Sequence, residues 1–333
     1  SAGSLFGHAG YANLSAGDKY LATAGSELSS MTMRLVNCGF SNLNITANRD
    51  AGGFFGYLVT RGGSNSGVWN TKKTTYGGNS SIVSTIGSNA VGVGGFVGHA
   101  KNCFWINEPT WGKHADTVVS SLVVNNGSSA EKAGTGGLIG LFENANSCRI
   151  NAVTLSPSVS LAGDYRVGGL IGGNCDSSGK AANIIDSVKV DGVKLSANQK
   201  YLGGFVGCIS ASGPLRVSNS TVAGVVFDAR NSGAVVGYSA TNGVETSITN
   251  CRFEKNSING ALSGSLVGYL SGNLFGTNVL IRSNTFGTNA KGLLVGFAIA
   301  NSNNPTVRIA GLDYQLGKDQ ADTGLEIASN NPA

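Results

Sequence analysis

The chain has 333 residues, of which 41% are hydrophobic and only 12% charged, with 51 glycines and a formal net charge of +5. Charge is about half its usual share and glycine about twice, and no basic run is longer than Lys72-Lys73, so nucleic-acid binding has little footing. No stretch is long and apolar enough for a transmembrane helix, and the start at Ser1, without Met or signal peptide, fits a processed chain or a segment of a longer one.

A glycine motif runs from end to end. It opens as Gly3-Ser4-Leu5-Phe6-Gly7 and returns as Gly52-Gly53-Phe54-Phe55-Gly56 and Gly94-Gly95-Phe96-Val97-Gly98. The next copies are Gly136-Gly137-Leu138-Ile139-Gly140, Gly168-Gly169-Leu170-Ile171-Gly172 and Gly203-Gly204-Phe205-Val206-Gly207. Gly233-Ala234-Val235-Val236-Gly237, Gly264-Ser265-Leu266-Val267-Gly268 and Gly292-Leu293-Leu294-Val295-Gly296 complete nine copies. Their last glycines are 49, 42, 42, 32, 35, 30, 31 and 28 residues apart. Periods of this size mark a solenoid, a propeller or an array.

Between motifs, short runs alternate in β-branched residues, as in Ile185-Asp186-Ser187-Val188, Val217-Ser218-Asn219-Ser220 and Ile248-Thr249-Asn250-Cys251. Such runs bounded by Gly, Asn and Ser read as strands. A further short strand often follows, as at Val193-Lys194-Leu195 and Val225-Val226-Phe227, and the one weak helical candidate is Gly17 to Met33. Three strands per repeat predict an all-β fold: a single parallel β-helix (β-solenoid) of about nine coils, with longer loop insertions in the N-terminal coils. Residues 1–316 form the repeat domain and 317–333 a polar C-terminal tail. A β-propeller is the rival, but it needs four strands per blade and the last repeats are too short for that.

Stacked coils put like residues in columns. Asn37, Asp186, Asn219, Asn250 and Asn284 predict an amide or carboxyl ladder at a turn, and the next position places Cys38, Cys148 and Cys251 as core thiols. The two apolar residues of the motif are adjacent, so in a strand they point to opposite faces. Both columns stay apolar, which predicts that the outward face is covered, by the chain's own loops or by another subunit. After the last glycine come His8, Tyr57, His99, Leu141, Gly173, Cys208, Tyr238, Tyr269 and Phe297. Tyr238, Tyr269 and Phe297 predict an aromatic ladder, serving as packing or as a platform for sugar rings or another subunit.

The cysteines form no Cys-x-x-Cys pair; Cys175 and Cys208, just past the motif in neighbouring repeats, are the candidate disulfide. Asn13, Asn44, Asn79, Asn126 and Asn219 begin sequons, candidate glycosylation sites in a secreted eukaryotic protein. Gly-Gly-Leu-Ile-Gly at this period resembles the GLUG repeat of bacterial surface proteins, found in adhesin-like proteins and beside the catalytic domains of some immunoglobulin A proteases. The resemblance covers nearly the whole chain through five strong motifs, and the three long first spacings depart from it. It implies an exported, non-catalytic β-rich module.

Many β-helices are polysaccharide lyases or hydrolases, whose sites cluster carboxylates on one face. Here the nearest approach is Glu143 with Asp176, near Arg149 and Lys180; His99, Lys101, His114 and Asp116 form a looser group. No nucleophile elbow, zinc-binding His-Glu-x-x-His or calcium nonapeptide is present, so no catalytic, cofactor or metal site is expected. With no polar cap ahead of the first motif, the leading expectation is a self-associating extracellular structural protein, a filament or surface-layer subunit. Its partner is itself, head-to-tail and laterally, through Gly3, Leu5 and Phe6, through Tyr238, Tyr269 and Phe297, and through Ile309 and Leu312. The alternatives are a monomeric adhesin stalk that binds cell-surface glycans and a glycan-active enzyme.

Overall fold

The computed structural model describes residues 1–4, 6–10, 32–36, 38–59, 67–71, 75–85, 87, 91–101, 104–107, 117–143, 147–174, 183–210, 213–239, 245–289, 292–299, 305–316 and 326–328. Among them there is no helix, and every strand pairing is parallel. Ten strands make one sheet in strict chain order, one per coil: Phe6–Gly10, Phe55–Val59, Val97–Lys101, Ile139–Glu143, Ile171–Asn174, Val206–Ile209, Val236–Ser239, Val267–Leu270, Gly292–Ala298 and Glu326–Ala328. This is a parallel β-solenoid. A propeller is excluded, because its blades are separate sheets and these strands join coil to coil. The weak helical candidate from Gly17 to Met33 lies mostly outside the described residues, and its last two residues fall in the strand Thr32–Val36.

The coil that follows Gly203 has more corners than its sequence announces. After Gly203 the chain runs through Val206–Ile209, Leu215–Ser218, Thr221–Ala223, Val226–Phe227 and Asn231–Gly233 before the next motif. That is five short strands where three were expected, because single left-handed residues bend the wall without a loop. Asn219, Asn250 and Asn278 have φ of 49°, 54° and 53°, a region that Asn tolerates better than most residues. The strand Glu326–Ala328, within the stretch assigned to the polar tail, pairs with Gly292–Ala298, so the sheet continues past residue 316.

One core fills the coil interior. Tyr76, Val119, Leu155, Val190, Val222, Phe253 and Ile281 stand in one register column through seven coils, each at most 1% exposed. The glycine motif supplies a second wall, by a route that departs from the expected one. The motif is a corner: one strand ends at Gly168, Gly169 and Leu170 bend, and the next strand begins at Ile171. The Leu170 and Ile171 amides both donate to the Phe205 carbonyl of the next coil, at 2.9 and 3.1 Å. The pairs Phe54/Phe55, Phe96/Val97 and Leu138/Ile139 repeat the pattern. Two successive amides converging on one acceptor break the pleat, as in a β-bulge. Adjacent side chains then enter the same core instead of opposite faces, and Leu170 and Ile171 are 0% and 1% exposed within one cluster.

The last glycine of each motif closes the corner. A Cβ on Gly140 would overlap the Val93 amide nitrogen and come within 2.6 Å of the Gly98 carbonyl oxygen. The strands before and after the corner therefore press together across neighbouring coils at a separation only glycine allows. Among the described residues, strand backbone of the neighbouring coil packs against the glycine face.

Candidate functional site: the seam outside the glycine corner

Just beyond this contact, two columns of side chains meet. One is the residue after the last glycine, already singled out. The other lies two residues before the first glycine: Asp50, Gly92, Gly134, Arg166, Tyr201, Asn231 and Leu262. Sequence reading passed over this second column, although a fixed offset from the motif marks it. In two coils a bulky residue of one column meets a glycine of the other: a Cβ on Gly134 would lie 2.7 Å from Leu141 Cδ2, and one on Gly173 would lie 3.0 Å from Arg166 Cδ.

Toward the N-terminus the seam is ionic. His99 is 8% exposed and bridges three coils, with Nδ1 3.4 Å from Asp50 Oδ1 and Nε2 3.4 Å from Glu143 Oε2. The Nε2 contact is an ion pair without hydrogen-bond alignment. Asp50 also accepts the Gly92 amide at 2.8 Å, and Lys101 Nζ lies 3.2 Å from Glu143 Oε2. The Tyr57 ring meets His99 edge-on at 4.9 Å. Burial pulls the imidazole pKa down, but Asp50 and Glu143 more than offset it, raising it to about 9. Contact with His99 lowers the Glu143 carboxyl to about 2, against its own partial burial. The expected grouping of His99 with Lys101 is found, while His114, Asp116, Asp176 and Lys180 lie outside the described residues. Among the described residues, the groups around His99 are two carboxylates, an ammonium and a phenol ring.

Toward the C-terminus the seam is aromatic. Tyr238, Tyr269 and Phe297 stack as expected, with centroids 4.6 and 5.2 Å apart, and Tyr201 from the second column extends the ladder to Tyr238 at 4.5 Å. Tyr165 follows at 6.5 Å. Tyr201 holds φ of 67°, a strained state for an aromatic residue, and its hydroxyl donates to Glu131 Oε1 at 2.9 Å. Burial raises the Tyr201, Tyr238 and Tyr269 phenols above their ordinary range, so all three stay neutral. The rings cover one another's faces, and Tyr238 and Tyr269 are half-exposed. Comparisons with protein families, curated proteins and solved structures return no match. The likeness to GLUG repeats therefore rests on the motif alone.

The remaining candidates are scattered. Gly3 pairs with Gly52 in the first described coil; Leu5 lies outside the described residues, and Phe6 stands opposite Phe55 in register. Ile309 and Leu312 pack partly buried against the core from the strand Val307–Leu316. Cys208 is 2% exposed and stands opposite Gly173, and Cys175 is outside the described residues. Cys251 is fully buried and Cys38 half-buried in the same register column, whereas Cys148 belongs to a different one, opposite Asn183. Asn44, Asn79 and Asn219 are exposed. Asn126 is buried, and its side-chain amide is engaged with Val91, Gly134 and Ser128 backbone, so it is closed to glycosylation. Asn13 lies outside the described residues.

Proposed function

We propose that the protein is a non-catalytic, extracellular structural protein whose solenoid rods associate side by side into a filament or surface layer. One outer face of the first coils carries the reading. Asn44, Ser81, Val123 and Ser160 form one outward column and Thr46, Val83, Asn125 and Ala162 the next. All are exposed or half-exposed, Val123 at 46%, and none is charged. A face of short neutral side chains, ridged at the ~4.8 Å strand spacing, offers a copy of itself matching ridges and no charge repulsion. Lys194, in the next coil, ends the neutral stretch.

The adhesin reading keeps a specific observation, the half-exposed tyrosine ladder. Its covered ring faces leave little for a sugar to stack on, which makes it the weaker of the two. Negative-stain electron microscopy of the purified protein across a concentration series separates them. Fibres or layers with constant spacing, disrupted by Val123→Lys at unchanged melting temperature, are expected. Discrete rods at every concentration would overturn self-association and move the weight to glycan arrays.

A further inference from the structure

Tyr238 and Tyr269 are direct register partners on adjacent coils, with ring planes 28° apart and centroids 4.6 Å apart. Both rings are partly exposed, so a reagent in solution reaches their edges while the neighbouring coil holds them together. Tyr201 backs the pair on one side at 4.5 Å and Phe297 on the other at 5.2 Å. We propose that this pair is an oxidative modification site, where a one-electron oxidant of the peroxidase class joins the two rings by a carbon–carbon bond and staples adjacent coils.

The chemistry balances. Each phenol gives one electron to the oxidant and its hydroxyl proton to water, leaving two phenoxyl radicals. The radicals couple through ring carbons next to the oxygens, and the displaced ring hydrogens return to the oxygens as both phenols re-form. The net loss is two hydrogen atoms, matched by one hydrogen peroxide reduced to two waters. Coupling ordinarily waits for two short-lived radicals to meet; the register has them already in contact, which removes that encounter. Tyr201 feeds the same pair. Its hydroxyl proton already has an acceptor in Glu131, so a radical formed there is refilled across 4.5 Å from Tyr238. Phe297 has no hydroxyl to oxidise and ends the ladder. Tyr314, 43% exposed, stands opposite Ile281 instead of a second tyrosine. The proposal is independent of self-association.

The test is oxidation of dilute protein with peroxidase and hydrogen peroxide, followed by peptide mass spectrometry and dityrosine fluorescence. A cross-link between the Tyr238 and Tyr269 peptides within one chain is expected, at a yield at least tenfold above that of the chain oxidised in denaturant. Tyr269→Phe should remove it and still fold, since phenylalanine already occupies the next rung. Cross-links only between chains, or equal yield in the denatured chain, would overturn the proposal.

Discussion

Between Asp50 and Glu143 the His99 imidazole stays protonated well past neutrality, because losing its proton would leave carboxylates on two coils facing a neutral, desolvated ring. Its pKa is raised from 6.5 to about 9, so its contribution is complete below about pH 6.5 and is lost as pH rises through 9. Glu143 is lowered from 4.5 to about 2, so its contribution is complete above about pH 4.5 and is lost as pH falls through 2. Melting temperature measured against pH should therefore plateau between these limits and fall toward pH 9. His99→Gln should flatten the alkaline decline and cost about 3 kcal/mol, because Asp50, 2% exposed, would be left without its counter-charge. A variant with an unchanged alkaline decline would show that other groups set it. The cluster was half legible beforehand: the offset after the glycine motif marks His99, but Asp50 belongs to a column that only the folded corner brings alongside.

The wall elements owe their bends to left-handed residues tied from coil to coil. Asn219 Nδ2 donates to Asp186 Oδ1 at 2.8 Å, Asn250 to Asn219 at 3.3 Å, and Asn278 to Asn250 at 2.9 Å. The expected ladder exists with shifted membership. Ser187, not Asp186, takes the left-handed place, and Asp186 accepts from one residue earlier. Asn284 lies in a buried column instead, accepting the Asn256 amide at 2.8 Å, and Asn37 lies outside the described residues. Asn250→Ala should cost about 2 kcal/mol, from lost hydrogen bonds and left-handed strain, whereas Asn250→Gly should recover the strain component. Equal losses in denaturant melts would argue that the side chain alone matters. The corner is stricter. Gly140→Ala should cost at least about 3 kcal/mol, since the overlapped atoms are backbone and cannot swing aside. Gly87→Ala, with nothing among the described residues within 4 Å of the new methyl, serves as the near-neutral control.

At the scale of the whole rod, each coil touches its neighbours and stability sums along the axis. Deleting residues 238–268 removes one period, from just after Gly237 to Gly268, and rejoins equivalent corners. That chain should keep its β circular dichroism and melt cooperatively at a lower midpoint, with a rod shorter by ~4.8 Å. Failure to fold would show that the coils are not interchangeable. The period, the parallel stacking and the columns of like residues could all be read from the sequence, because each is a matter of spacing along the chain. The direction of the motif's two apolar side chains could not. Alternation assigns them to opposite faces, and only the shared carbonyl of the next coil turns both inward. The same holds for the seam: His99 with Asp50, and Tyr201 with Tyr238, meet because glycine lets two strands close across the corner. That is a contact between coils, which no local pattern encodes.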